Sequence, residues 1–159
     1  MTSQRDDEFQ DPLEDYDPPK YKDPLEEALA EKSVTEIQAS PHTVIPADMS
    51  VQDAMRKLAG QDIACVMVEE DGRLAGVFSD RDVLDRVALE FDSVKHQPIS
   101  SVMTTEPVCV YETDSAAAAL SVMAVTGYRH VPVVSLDENI LGIISPQRLT
   151  KFLHKYAQA

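Results

Sequence analysis

Two stretches of the chain carry the same order of apolar and polar positions, 65 residues apart. Val34-x-x-Ile37 answers Ile99-x-x-Val102, and Thr43-Val44-Ile45 answers Val108-Cys109-Val110. Ser50, Ala54 and Ala59 answer Ser115, Ala119 and Ala124, and Cys65-Val66-Met67-Val68 answers His130-Val131-Pro132-Val133. The offset then becomes 66, pairing Asp71 with Asp137, Gly76 with Gly142 and Ser79 with Ser145, as one residue inserted in the second copy requires. One offset held across so many apolar positions marks an internal duplication.

Each copy predicts the same elements. A short β run (43–45 and 108–110) precedes a helix (50–60 and 115–126). In the second helix Ala116, Ala119, Leu120, Met123 and Ala124 recur at the three-and-four spacing of a buried face. Two strands follow, Cys65–Glu69 with Leu74–Phe78 and His130–Ser135 with Ile140–Ile144. The first pair turns at Asp71-Gly72, a strong two-residue hairpin signal; the second turns through Asp137-Glu138-Asn139. A last helix opens at Asp80 and at Pro146. The order β-α-β-β-α, twice, gives an α+β fold. Its short apolar strands cannot stand alone, so the repeats are expected to pack through their sheets.

Ahead of the repeats, residues 1–22 are acidic, contain Pro12, Pro18 and Pro19, and hold few large aliphatics. Such a segment cannot offset its ordering entropy by burial and is expected to be disordered or loosely extended. Asp23 suits an N-cap and Pro24 the first helical position, predicting a short helix to about Lys32. The chain therefore divides into an acidic extension (1–32), a first repeat (33–96) and a second (97–159).

At 159 residues the chain is large enough for one self-sufficient core. Its net charge is −14. Residues 1–32 hold eleven acids and four bases, so one fifth of the chain carries half the excess. That charge argues against nucleic acid as a partner. No run of 18 apolar residues exists, which argues against a membrane span. Met1 to Glu8 lack the apolar stretch of a secretory signal, so a cytoplasmic location is expected. Cys65 and Cys109 sit in apolar runs and are expected to be free thiols. Neither they nor His42, His96, His130 and His154 show metal-ligand spacing.

The chemistry concentrates in Gly76-Val77-Phe78-Ser79-Asp80-Arg81-Asp82, where a strand ends and a helix begins. Ser79 followed three residues later by Asp82 is a capping-box variant, which helix initiation alone would explain. The same corner also fits a nucleotide, because a carboxylate there can accept two hydrogen bonds from a ribose diol while the helix start offers free N–H groups.

A duplicated unit with this corner, together with Tyr128-Arg129-His130-Val131-Pro132-Val133-Val134, resembles the cystathionine β-synthase (CBS) domain family over roughly residues 33–157. The resemblance implies a tandem pair forming a pseudo-two-fold disc with two clefts built across the repeats. It implies an adenine nucleotide (AMP, ADP or ATP) or an adenosyl ligand, and no required cofactor. By it, Ser79 and Asp82 face Met103-Thr104-Thr105 and the Arg129-His130 pair. Asp82 takes the ribose hydroxyls, Arg129 and His130 approach the phosphates, and backbone around Thr104 and Val108 meets the adenine edge. Repeat two keeps Gly142 and Ser145 but carries Arg148 in place of the carboxylate, and an arginine cannot accept hydroxyl protons. One competent nucleotide site is therefore expected. No nucleophile elbow, phosphate-binding loop or H-E-x-x-H motif is present, so no enzyme is expected. The expected function is a regulatory module that senses a nucleotide at one cleft and signals to a partner protein. The alternative is an interaction protein with empty clefts and an acidic docking tail. The alanine-rich helix 115–126, apolar on more than one side, predicts a homodimer.

Overall fold

A computed structural model describes residues 16–37, 42–61 and 63–158. The reading of residues 1–15 as a loose acidic segment lies outside the described residues. The helix after it is present. α1 spans Pro24–Glu31, and the Asp23 side chain accepts from the Glu26 N–H at 2.9 Å. Before it, the Lys22 N–H donates to Glu26 Oε2, and the Tyr21 hydroxyl donates to Glu31.

In the first repeat β1 (Val44–Pro46) leads into α2 (Val51–Gln61), β2 (Cys65–Glu70) and β3 (Arg73–Ser79). β1 lies parallel to β2, as two strands joined through a helix must. β2 and β3 form the hairpin. Asp71 and Gly72 both take positive φ, 51° and 78°, the conformation a two-residue loop needs to match strand twist. The helix predicted to open at Asp80 is broken. α3 covers Asp80–Asp82, a π-helical turn runs over Val83–Val87, and α4 follows at Phe91–Val94. Beyond it lies a strand the sequence pattern did not predict. β4 (Thr104–Thr105) adds antiparallel to β3, with Val77 opposite Thr104 and Gly76 opposite Thr105.

The second repeat contains β5 (Val110–Tyr111), α5 (Ala116–Thr126), β6 (Val131–Val134), β7 (Ile140–Ile144) and α6 (Pro146–Ala157). Its sheet, in the order β5-β6-β7, repeats the parallel and antiparallel pairings of the first. The two sheets meet through Cys65, Met67 and Ile143, flanked by Val44, Leu74, Val77 and Ile140. The expected packing through sheets is thus the observed one.

The duplication is also visible in how the repeats are joined. Val34 and Ile37 are buried in the second core, against Val110, Ala116 and Phe152. Reciprocally, Ile99, Val102 and Met103 are buried in the first core, against Val51, Val66 and Phe78. The bonds that fix these crossings come in pairs 65 residues apart. Val34 N–H donates to the Asp114 carbonyl, and Ile99 N–H to the Met49 carbonyl. Val51 N–H donates to the Gln97 carbonyl, and Ala116 N–H to the Lys32 carbonyl. Each repeat lends its opening segment to the core of the other. α1 joins the second core through Ala28 and Leu29, so the helical end of the acidic extension is part of the packed body.

Candidate functional site

The corner at the end of β3 is shaped by its own side chains. Ser79 is extended (φ −129°, ψ 171°), and the backbone turns helical at Asp80. Asp82 is buried at 5% exposure, the sole charged side chain among the described residues to be so. A buried carboxylate must be fully hydrogen-bonded, and this one is. Its Oδ2 accepts from the Ser79 N–H and the Ser79 hydroxyl, both at 2.9 Å. Its Oδ1 accepts from the Thr104 hydroxyl at 2.7 Å, across from β4, and has Arg86 Nη1 at 3.6 Å. The helix-capping reading of Ser79 and Asp82 is therefore satisfied in the structure, and the same carboxylate also reaches to the start of repeat two.

Around this carboxylate lies a cleft of about 110 Å³, lined by Ser79, Asp80, Arg81, Asp82 and Thr104 from one side. Gly127, Tyr128, Arg129 and His130 close it from the other. Gly127 takes the left-handed conformation (φ 70°) that ends α5 and turns the chain into the cleft. Five of the six candidate residues, Ser79, Asp82, Thr104, Arg129 and His130, meet here. Val108 does not. Glu106 adopts a positive φ of 45°, Pro107 turns inward and is buried, and Val108 points outward at 43% exposure.

Burial lowers the His130 pKa; nearby Asp80 opposes this, and Arg129 and Arg148 reinforce it. The imidazole is therefore neutral at pH 7 and can both donate and accept. Cys65, with Ala64, lines the same cleft and was not expected there. Burial, then the charges of Asp82 and Asp80, push its thiol up to about 12, so it acts as an apolar wall and not as a nucleophile. Its presence follows from the duplication. Cys65 and His130 are equivalent positions, and a pseudo-two-fold arrangement brings equivalents together.

The second cleft shares the wall of Ala64, Cys65 and His130 and opens to about 910 Å³. It is the larger, yet its chemistry is poorer in acceptors. Ser145 caps α6 by accepting from the Arg148 N–H at 3.4 Å, and Arg148 Nη1 donates to the Ile143 carbonyl at 2.6 Å. Among the described residues that line it there is no carboxylate. Among their described lining residues the two clefts differ: Asp80 and Asp82 line the first, and Arg148 lines the second. Sequence reasoning missed Arg86, although its spacing of four from Asp82 on a helical segment is the signal that would have found it.

Comparison with known proteins matches this architecture. The family model for the CBS domain fits twice, over residues 34–89 and 99–155. The CBS domain-containing protein CBSCBSPB3 of Arabidopsis thaliana is 30% identical over 138 residues, covering 86% of this chain and 24% of that protein. The chain thus spans about a quarter of this curated relative. Among solved structures, CBSX2 of Arabidopsis thaliana in complex with AMP superposes with a TM-score of 0.68 at 22% identity, covering 77% of this chain and 96% of that one. The Pyrobaculum aerophilum protein PAE2072, complexed with AMP, gives a TM-score of 0.69 at 22% identity, covering 80% and 99%. The two fitted segments coincide with the two copies of the duplicated unit, and the chain belongs to the CBS domain family as a tandem pair.

Proposed function

We propose that this protein is a regulatory module that binds an adenine nucleotide in the Asp82 cleft and passes occupancy to a partner protein. The observation that carries the reading is the convergence of five residues from both repeats on one corner. An acceptor for a ribose diol, Asp82, faces donors for phosphate, Arg129 and His130, across a gap that only the assembled pair creates. The solved neighbours complexed with AMP support the ligand class. No catalytic step is assigned to the protein, and a cytoplasmic setting remains part of the proposal.

A second reading, an interaction protein whose clefts stay empty, is favoured by one observation. Asp82 is already satisfied by Ser79 and Thr104, and the cleft around it is small beside the ~300–1,000 Å³ of ordinary ligand sites. Thermal denaturation with AMP, ADP and ATP separates the two. A nucleotide at 100 times its Kd stabilises the folded state by about 2.7 kcal/mol and raises the melting temperature. No shift with any of the three at millimolar concentration would leave the second reading standing.

Assembly belongs to the same proposal. On α5, Ala116 and Ala119 are buried and α1 covers part of a second side. Ala117, Ala118 and Val122 stay half-buried, and Val125 is 86% exposed. Small residues allow close approach of a second helix, and a two-fold contact needs only one self-complementary patch. Light scattering is expected to give twice 17.6 kDa for the protein and 17.6 kDa for Ala118→Glu. A wild-type mass of 17.6 kDa refutes the dimer.

A further inference from the structure

Asp82 lines the cleft, and its Oδ1 has both Thr104 and Arg86 beside it. Thr104 Oγ1 donates to it at 2.7 Å, and Arg86 Nη1 lies 3.6 Å from it. The same Nη1 donates to the carbonyls of Val102, at 3.1 Å, and Met103. These two residues begin the segment that crosses from the first core into repeat two. The carboxylate is therefore fastened to the crossing by two routes, one through a side-chain hydroxyl and one through a guanidinium that reads backbone. Both routes end on Oδ1, whereas Oδ2 is taken up within the helix start.

Two facts set the consequence. The cleft holds about 110 Å³, so a nucleotide needs its walls to part. Oδ2 already accepts two bonds, so the spare acceptor capacity of Asp82 lies on Oδ1, where Thr104 already donates and one lone pair is left for a diol that brings two hydroxyls. We propose that the Thr104 hydroxyl and the ribose hydroxyls compete for Asp82 Oδ1. In this scheme Arg86 is the positioning residue that holds the carboxylate to the crossing while they exchange. The inference rests on the nucleotide reading of the Asp82 cleft. It adds that the ligand enters by displacing a bond between the repeats, so that filling the cleft changes how the crossing is held.

The competition gives the two neighbours of Asp82 opposite signs. Thr104→Val keeps the shape and removes the competitor. Its melting temperature falls, because Oδ1 loses a partner, yet AMP binds about three- to tenfold more tightly, because no hydroxyl must be displaced. Arg86→Met lowers both the melting temperature and the AMP affinity, the latter about three- to tenfold. Arg86→Lys, which retains the charge beside Asp82, recovers part of the affinity. Calorimetric titration of AMP into the folded wild-type and variant proteins measures all four. A merely structural role for Thr104 predicts that affinity and stability fall together. Unchanged or weaker AMP binding by Thr104→Val overturns the competition, and unchanged binding by Arg86→Met removes Arg86 from the scheme. Failure of the wild type to bind AMP, ADP or ATP is a different result: it removes the nucleotide reading itself, and the competition with it.

Discussion

Asp82→Ala is expected to weaken adenine-nucleotide binding about tenfold to a hundredfold, because it deletes a charge-assisted acceptor worth about 1.5–3 kcal/mol. It also strands three donors, the Ser79 N–H, the Ser79 hydroxyl and the Thr104 hydroxyl, in a buried corner. The melting temperature must therefore fall as well. Titration well below the variant's melting temperature separates the two effects, since a fully folded protein shows its true Kd whatever its stability. Arg148→Ala, in the other cleft, is expected to leave AMP binding nearly unchanged. If Asp82→Ala loses stability alone and binds AMP as the wild type does, the carboxylate is a helix cap and no more.

The second large effect is expected at Gly76. A Cβ placed there would lie 2.6 Å from Met103 Sδ and 2.7 Å from the Thr104 carbonyl oxygen. The methionine can swing aside, but the carbonyl belongs to β4 and can move only by breaking its pairing with β3. Gly76→Ala should cost about 1–3 kcal/mol, the range of overpacked core sites, and Gly76→Val more. The melting temperature should drop by several degrees, at about 2–4 °C per kcal/mol for a chain of this size. Gly60 supplies the contrast. It lies on the exposed side of α2 with nothing within 4 Å of a built Cβ. Gly60→Ala should therefore stabilise by about 0.5–1 kcal/mol through helix propensity. A Gly76→Ala protein as stable as the wild type would show that β4 yields freely.

What the sequence made legible was whatever repeats or turns by local rule. The 65-residue offset exposed the duplication, Asp23-Pro24 marked the start of α1, and Asp71-Gly72 marked a hairpin that takes two left-handed residues. Five of the six candidate residues come together in one cleft; the strand-to-helix corner is legible from its own residues, whereas Thr104, Arg129 and His130 enter only through the family resemblance. What stayed hidden depended on contacts between distant segments. β4 is two threonines long, too short for alternation to declare it, and exists because β3 offers an edge. The helix after Ser79 breaks into a π-helical turn that no periodicity in Val83–Val87 announces. The family resemblance puts the backbone around Val108 at the adenine edge, whereas a left-handed Glu106 and a buried Pro107 leave Val108 43% exposed and outside the cleft lining.

The exchange of opening segments bears on how the chain is made. When residue 96 leaves the ribosome, the first core still lacks Ile99, Val102 and Met103, and Val34 and Ile37 have no second core to enter. Those two must wait for Ala116, Val131 and finally Phe152. A domain built of self-contained halves would fold from its N-terminus as it emerged. Here α6 completes the compartment that α1 entered, so native closure waits until α6 has emerged and depends on contacts of long sequence separation, the slow kind. During translation the exposed apolar strands of the first repeat are the segment most in need of protection.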